Sequence, residues 1–245
     1  MFRYAITIEY DGSDFHGWQK QKAHRSVQGD IEKAIKKLTG EEVKTQAAGR
    51  TDKGVHGKGQ VAHFDLNKEW DAFRIQEGLN YHLRPNEIAI ISSKAVGQDF
   101  EARFSATRRY YEYIISDRRA PPVLERNRVW HVPTTLDEKA MNEAAQVAVG
   151  RHDFTTFRSI ECQSKSPIKS LDFFDVQRDG QHIFIKANAL SFLHHQVRSL
   201  VGSIKLVGQG KWSVADFASA LEAKERKRCG TLAPSAGLYL MKVDY

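Results

Sequence analysis

Thirteen consecutive residues constrain this chain more than any others. Ala48–Gln60 reads Ala-Gly-Arg-Thr-Asp-Lys-Gly-Val-His-Gly-Lys-Gly-Gln and holds four glycines, three cations, one histidine and a single carboxylate. Glycine reaches φ > 0 and lets another backbone or a ligand come close. Such a loop can hold Asp52 on a sharp turn under little steric cover. Arg50, Lys53 and Lys58 surround the acid in sequence, a field that keeps it ionised and attracts anions. Neither the phosphate-loop spacing nor the dinucleotide spacing fits the run. Read from composition alone, it is first a glycine-rich hairpin with solvated charges.

The rest of the chain limits the choices. At 245 residues with 41% hydrophobic side chains it has enough material for one large or two modest cored domains. The net charge of +7 suits a polyanion partner, although a basic enzyme without one fits as well. Two distant cysteines, Cys162 and Cys229, argue against a disulfide framework or a cysteine-ligated zinc. No apolar run reaches membrane-spanning length, and no signal peptide is evident, so a cytoplasmic protein without a membrane partner is expected.

Periodicity places the elements. Phe2, Tyr4, Ile6 and Ile8 alternate on one strand face, and Asp11–Asp14 turns the chain. Phe15–Gln21 mixes aromatics with polar groups, which suits base stacking or a core anchor. Ile31, Ala34, Ile35 and Leu38 predict a helix ended by Gly40. A strand over Val43–Ala48 should enter the glycine loop and Val61–Leu66 should return from it. A helix is expected over Asp71–Tyr81 and a buried strand over Ile88–Ile91. In Phe104–Ile115, period two puts Arg109, Tyr111 and Tyr113 on one face and Arg108, Tyr110 and Glu112 on the other. Asp117–Pro133 reads as a connector, Thr135–Glu138 as a capping box, and Leu171–Gln177 with His182–Ala189 as a hairpin. Leu193, Val197, Leu200, Val201 and Ile204 form a helical stripe with Arg198 at its edge. There a buried arginine would need a carboxylate, and a solvated one would not. His194 and His195 would diverge by about 100° on that helix and read as helix-start residues. A second capping box begins at Ser213, Lys224–Arg228 is a basic run in a solvated loop able to touch phosphate, and Leu238–Tyr245 is a closing strand. The order of elements gives an α+β fold of two halves, each a mostly antiparallel sheet with helices on one face.

Five motifs in order then carry a resemblance. They are Ile8-Glu9-Tyr10-Asp11-Gly12 with Gly17-Trp18-Gln19; Ala48–His56; Ala102-Arg103-Phe104-Ser105-Ala106; Phe192-Leu193-His194-His195-Gln196-Val197-Arg198; and Gly237-Leu238-Tyr239-Leu240. Together they resemble the tRNA pseudouridine synthase A family from the first strand to the last. The resemblance implies two α/β-sandwich subdomains of the pseudouridine synthase fold with an active-site cleft between them, 1–105 carrying the catalytic loop and 106–245 completing the cleft. It implies a cofactor-free and metal-free isomerase, acting as a homodimer on uridines 38, 39 and 40 of the tRNA anticodon stem-loop. By its motifs, the catalytic aspartate falls on Asp52, the active-site tyrosine on Tyr111, and the basic partner on Arg198. Arg50 falls beside the flipped nucleotide. Tyr110 stands where relatives often carry arginine, and Tyr111 is chosen because it lies seven residues after the phenylalanine of the Phe-Ser-Ala motif. Two rival readings remain: a non-catalytic RNA-binding module, and a metal-dependent phosphoesterase built on Asp52, His56 and His63, for which one carboxylate is thin ligation.

Overall fold

A computed structural model describes Met1–Tyr245. In order the chain forms β1 (Phe2–Tyr10), α1 (Val27–Thr39), β2 (Gln46–Ala47), β3 (His56–Leu66), α2 (Ala72–Leu83), β4 (Ile88–Val96) and β5 (Arg108–Ser116). Next come β6 (Trp130–His131), α3 (Glu138–Val147), β7 (Gly150–Asp153), β8 (Ile168–Leu171), β9 (Phe173–Asp179) and β10 (His182–Ala189). The chain closes with α4 (Gln196–Gly208), α5 (Val214–Ala223) and β11 (Leu238–Asp244). It divides into two compact units. The first holds Met1–Thr107 with Tyr239–Tyr245, and the second holds Arg108–Leu238. The final seven residues therefore cluster with the first unit, whereas a simple cut at 105/106 assigns them to the second.

In the first unit β1 lies antiparallel between β3 and β4, with Ile6 opposite Ala62 and Ser93. Alternation in β1 is realised: Tyr4, Ile6, Ile8 and Tyr10 are buried, while Phe2 at the strand's start is exposed. They pack with Val27, Ile31 and Ile35 of α1 and Ile75, Leu79 and Leu83 of α2. Each such side chain contributes roughly 1.5–3 kcal/mol on burial. The Ser26 hydroxyl caps α1 by accepting the Gly29 amide, and Gly40 ends it at φ 78°. The expected strand over Val43–Ala48 shrinks to Gln46–Ala47, because Thr45 turns inward to give its amide to the buried Glu32 carboxylate. The strand expected over Ile88–Ile91 extends to Val96 along β1. Ile91 is exposed and the far half is at most partly buried, so an apolar run could not reveal it.

In the second unit β10 pairs antiparallel with β5 and β9, with Ala187 opposite Tyr111. The β9–β10 hairpin matches expectation, but β8 is a separate strand paired with β7. The connector holds β6, which runs parallel to β5. The cap of helix α3 falls two residues after the expected one. Leu136 is buried and gives its amide to Asp117, so Asp137, not Thr135, caps the helix. Arg178 fixes this corner, donating to both Asp117 carboxylate oxygens at 2.9 and 2.7 Å and to Glu138 at 3.0 Å. Burial alone would raise the Asp117 carboxyl, but Arg178 and the Leu136 amide hold it below its ordinary range. The Ser213–Asp216 capping box that opens α5 is present as expected.

Candidate active site

The loop from Ala48 to Val55 is tied at its base. Ala48 donates its amide to Val61 at 2.8 Å, and the fully buried Gln60 donates from Nε2 to the Gly49 carbonyl at 2.8 Å. Asp52 then sits half-buried in a turn, its carbonyl accepting the Val55 amide at 3.1 Å with Gly54 at φ 78°. Only glycine takes that conformation without strain. Arg50, Lys53 and Lys58 are all exposed, with the Lys53 ammonium 3.3 Å from the His16 ring and that of Lys58 over the Tyr239 ring.

A second segment braces this turn from the side. The Trp18 amide donates to the Thr51 carbonyl at 3.0 Å, and the Gly54 amide donates to the Phe15 carbonyl at 3.3 Å. These bonds flank Asp52 on both sides. A Cβ on Gly17, itself at φ 88°, would lie 2.5 Å from the Thr51 carbonyl oxygen. One on Gly12 would lie 2.0 Å from that of Val55. Both glycines exist so that one backbone can press against the other. From inside, the buried Tyr10 hydroxyl meets the Thr51 hydroxyl at 2.9 Å. Phe15 and Trp18 are each 1% exposed, so they anchor the brace in the core and are not stacking platforms for bases. Gly57 and Gly59 belong to β3, where the Tyr10 ring and the Met241 carbonyl occupy the space of a side chain. Close approach, more than positive φ, is what the glycines of the motif supply.

The histidines of the metal reading are not brought together. His56 and His63 lie seven positions apart on the same extended strand, roughly 20 Å. Each has a structural task. His56 Nδ1 is 3.0 Å from the Gly12 amide, and its ring stacks on Tyr239 at 4.7 Å. His63 accepts the Ala102 amide at 3.1 Å, and burial, with Arg3 nearby, pushes its imidazole pKa down.

The second unit holds the other two residues. Tyr111 on β5 meets Phe192 edge-on, with ring centroids 5.0 Å apart. Its neighbour Tyr110 belongs to the opposite face, where it holds Arg108, whose pKa it raises together with Asp172. Strand alternation thus separates the two tyrosines, and Tyr111 is the one beside the Phe192–Arg198 motif. His194 and His195 precede α4 and do not ride on it. His195 caps it at φ 64°, His194 accepts the Ser159 amide, and their rings lie 4.0 Å apart. The expected divergence of the pair therefore does not apply.

Arg198 is the third residue of α4 and is half-buried. Its Nε donates to the Ala233 carbonyl at 2.8 Å, and its own carbonyl accepts the Ala233 amide at 3.1 Å. Next door the Tyr113 hydroxyl donates to Pro234 at 2.7 Å, and burial pushes that phenol's pKa up, so it stays a donor. One turn along α4, Gly202 admits the Thr231 carbonyl where any side chain would collide. Residues 231–234 thus form a strap that fixes the orientation of Arg198. Sequence patterns gave no sign of the strap, nor of Phe192 as the partner of Tyr111, since each depends on contacts far apart in the chain.

Comparison with known proteins follows the same pattern. The profile of a family described as tRNA pseudouridine synthase matches residues 6–105 and 144–245. Those spans include Arg50, Asp52 and Arg198, while Tyr111 lies in the stretch between them. Relatives named tRNA pseudouridine synthase A are 55% identical in Sinorhizobium fredii and in Rhizobium meliloti, each over 100% of both chains. One in Maricaulis maris is 54% identical over 100% of this chain and 98% of its own. With a profile matched over both units and relatives aligned end to end, the chain belongs to the tRNA pseudouridine synthase A family.

Proposed function

We propose that this protein converts uridine to pseudouridine at positions 38, 39 and 40 of the tRNA anticodon stem-loop, with Asp52 as the central carboxylate. The isomerase class and the tRNA substrate follow from the family. The observation that carries the role of Asp52 is its brace: a half-buried acid in a cationic loop, with a backbone hydrogen bond on each side of it.

The reaction breaks the bond from N1 of the base to C1′ of the ribose. The base turns and rejoins through C5, which loses its proton while N1 gains one. Atoms and electrons balance without an oxidant, a reductant or water. The step needs one ionised carboxylate at the sugar, acting as nucleophile at C1′ or as base at C2′. Tyr111 stacks on or hydrogen-bonds to the base and assists loss of the C5 proton. Arg198 orients Asp52 and keeps it charged. The target base must leave its stack, which costs a few kcal/mol, and the planar guanidinium of Arg50 fills the space it vacates. Reading backbone shape in place of base edges accounts for three adjacent targets. The same reading takes the protein to be a cytoplasmic homodimer.

The test incubates wild type and Asp52→Asn with unmodified tRNA transcript in EDTA, without added cofactor, and maps pseudouridine by carbodiimide labelling and primer extension. Signal at positions 38–40 from wild type alone, with RNA binding kept by the variant, is the expected result. A folded wild type that binds tRNA and yields no signal would move the assignment to a non-catalytic RNA-binding module.

A further inference from the structure

Charge divides unevenly between the two units. The first carries 17 Lys and Arg against 16 Asp and Glu, a net +1. The second carries 20 against 14, a net +6, nearly all of the protein's +7. Part of that excess is gathered in an open hollow of about 320 Å³ near the C-terminal end of α4. Lys211, Lys227 and Arg228 line it together with the indole of Trp212 and one carboxylate, Asp216. Asp216 is engaged as the capping partner of Ser213, accepting its amide and its hydroxyl at 2.8 Å each.

The basic run is exposed at Lys224, Lys227 and Arg228, as its composition suggests, but its backbone is held in place. Arg226–Arg228 forms a 3-10 turn, and Arg226 turns inward to bond the Ser199 hydroxyl at 3.0 Å and the Thr156 carbonyl at 3.2 Å. The Glu225 amide is held by the Thr156 hydroxyl at 3.1 Å, and the Gly230 amide by that of Ser203 at 3.1 Å. Across the hollow, the amides of Lys211 and Trp212 both donate to the Leu206 carbonyl. Lys227, Arg228, Lys211 and Trp212 therefore project from backbone fixed on both flanks. Presenting their cations and indole costs little ordering entropy on binding.

We propose that this hollow is a docking surface for the phosphate backbone of RNA, with Trp212 stacking on a base or ribose. Three preplaced cations on a concave surface suit adjacent phosphates, and an aromatic among them suits nucleic acid more than a free anion. Its lining runs along α4 from Cys229 beside Ser203 to Lys211 past Gly208, about 8–15 Å of helix from Arg198, so it grips the RNA beside the nucleotide that Arg198 serves. The proposal rests on the tRNA-modifying reading above and adds to it a second point of attachment.

The test measures binding of unmodified tRNA transcript across a salt series, with steady-state kinetics, for wild type, the triple variant K211A/K227A/R228A, Lys227→Glu and Trp212→Ala. The triple variant should weaken binding about 10- to 100-fold and flatten the dependence of log K on log salt by about 2. Lys227→Glu is a single surface change that leaves the fold alone, and Trp212→Ala should lose about tenfold. The loss should fall on KM more than on kcat. Unchanged affinity and salt slope in the folded Lys227→Glu and triple variants would overturn the surface. So would intact tRNA binding with lost sedimentation on phosphatidylserine vesicles, which would assign the hollow to a lipid surface. Weakened RNA binding by these variants, beside a wild type that makes no pseudouridine, upholds the surface and removes only the enzymatic reading.

Discussion

The two units solve different problems with similar materials. Each is a sheet covered by helices, yet one is almost neutral and the other holds six of the seven net positive charges. In the first, structure converges on one short turn: hydrogen bonds donated by Trp18 and Gln60, one accepted by the Phe15 carbonyl, and two collisions awaiting any side chain at Gly12 or Gly17 fix Asp52. In the second, structure spreads cations over prepared backbone and holds Tyr111 and Arg198 by separate contacts. Fixing one acid requires tight backbone geometry. Holding a polyanion requires many cations and tolerates looser placement.

The sharpest way to break that division is Asp52→Asn. It should lower kcat by more than about 10⁴-fold while tRNA affinity changes less than about threefold. Binding lost together with turnover would mean that the first unit also carries affinity. Gly17→Ala comes next. The added methyl meets the Thr51 carbonyl at 2.5 Å and strains φ 88°, so kcat should fall about 10- to 100-fold by displacement of Asp52, with KM nearly constant. Equal losses in KM and kcat would show that the brace also shapes the substrate surface. Tyr111→Phe keeps the edge contact with Phe192 and removes the hydroxyl. A kcat loss of about 10²-fold is expected if the phenol handles the C5 proton, and nearly none if stacking alone matters. Tyr10→Phe strips the hydroxyl that meets Thr51, leaving a buried group short of a partner. It should cost about 1–2 kcal/mol in denaturant titration and lower kcat severalfold.

Acid should separate the units more gently. His63 is depressed by burial, so it resists protonation folded and accepts it unfolded. Its contribution is complete above about pH 6.5 and is lost as pH falls below that value. Asp117 is depressed by Arg178 and the Leu136 amide against its own burial. Its contribution is present above about pH 4 and is lost only as pH falls through its lowered value. Hydrogen exchange between pH 7 and 5 should therefore loosen the first unit before the second. His63→Asn, whose side-chain oxygen can still accept the Ala102 amide, should remove that difference.

Much of this was legible in the sequence, for identifiable reasons. Period-two alternation located β1, β5 and the β9–β10 hairpin, and apolar stripes located α1 and α4, because each element buries one face. The Asp52 loop was visible as one acid among glycines and cations. What escaped were the partners of those patterns. Nothing local says that Gly17 faces Thr51, that Gly202 admits Thr231, or that Arg226 turns inward while Arg228 does not. The cap of α3 was misplaced because a distant residue, Asp117, claims the Leu136 amide. Thr135 satisfied the local rule, but tertiary hydrogen bonding decided the outcome.

The closing strand carries a consequence for how the protein is made. Tyr239 and Leu240 run parallel to His56 and Gly57, Thr107 gives its amide to Asp244, and the Tyr245 hydroxyl reaches Ala102. The unit that leaves the ribosome first thus waits for a segment translated after the whole second unit, about 130 residues later. At ordinary elongation rates that is an interval of about 7–25 s. During it, β3 lacks a neighbour along the very edge that leads out of the Asp52 turn. The unit that holds the Asp52 turn is thus begun before the second unit and finished only after it, so the edge of β3 is covered last.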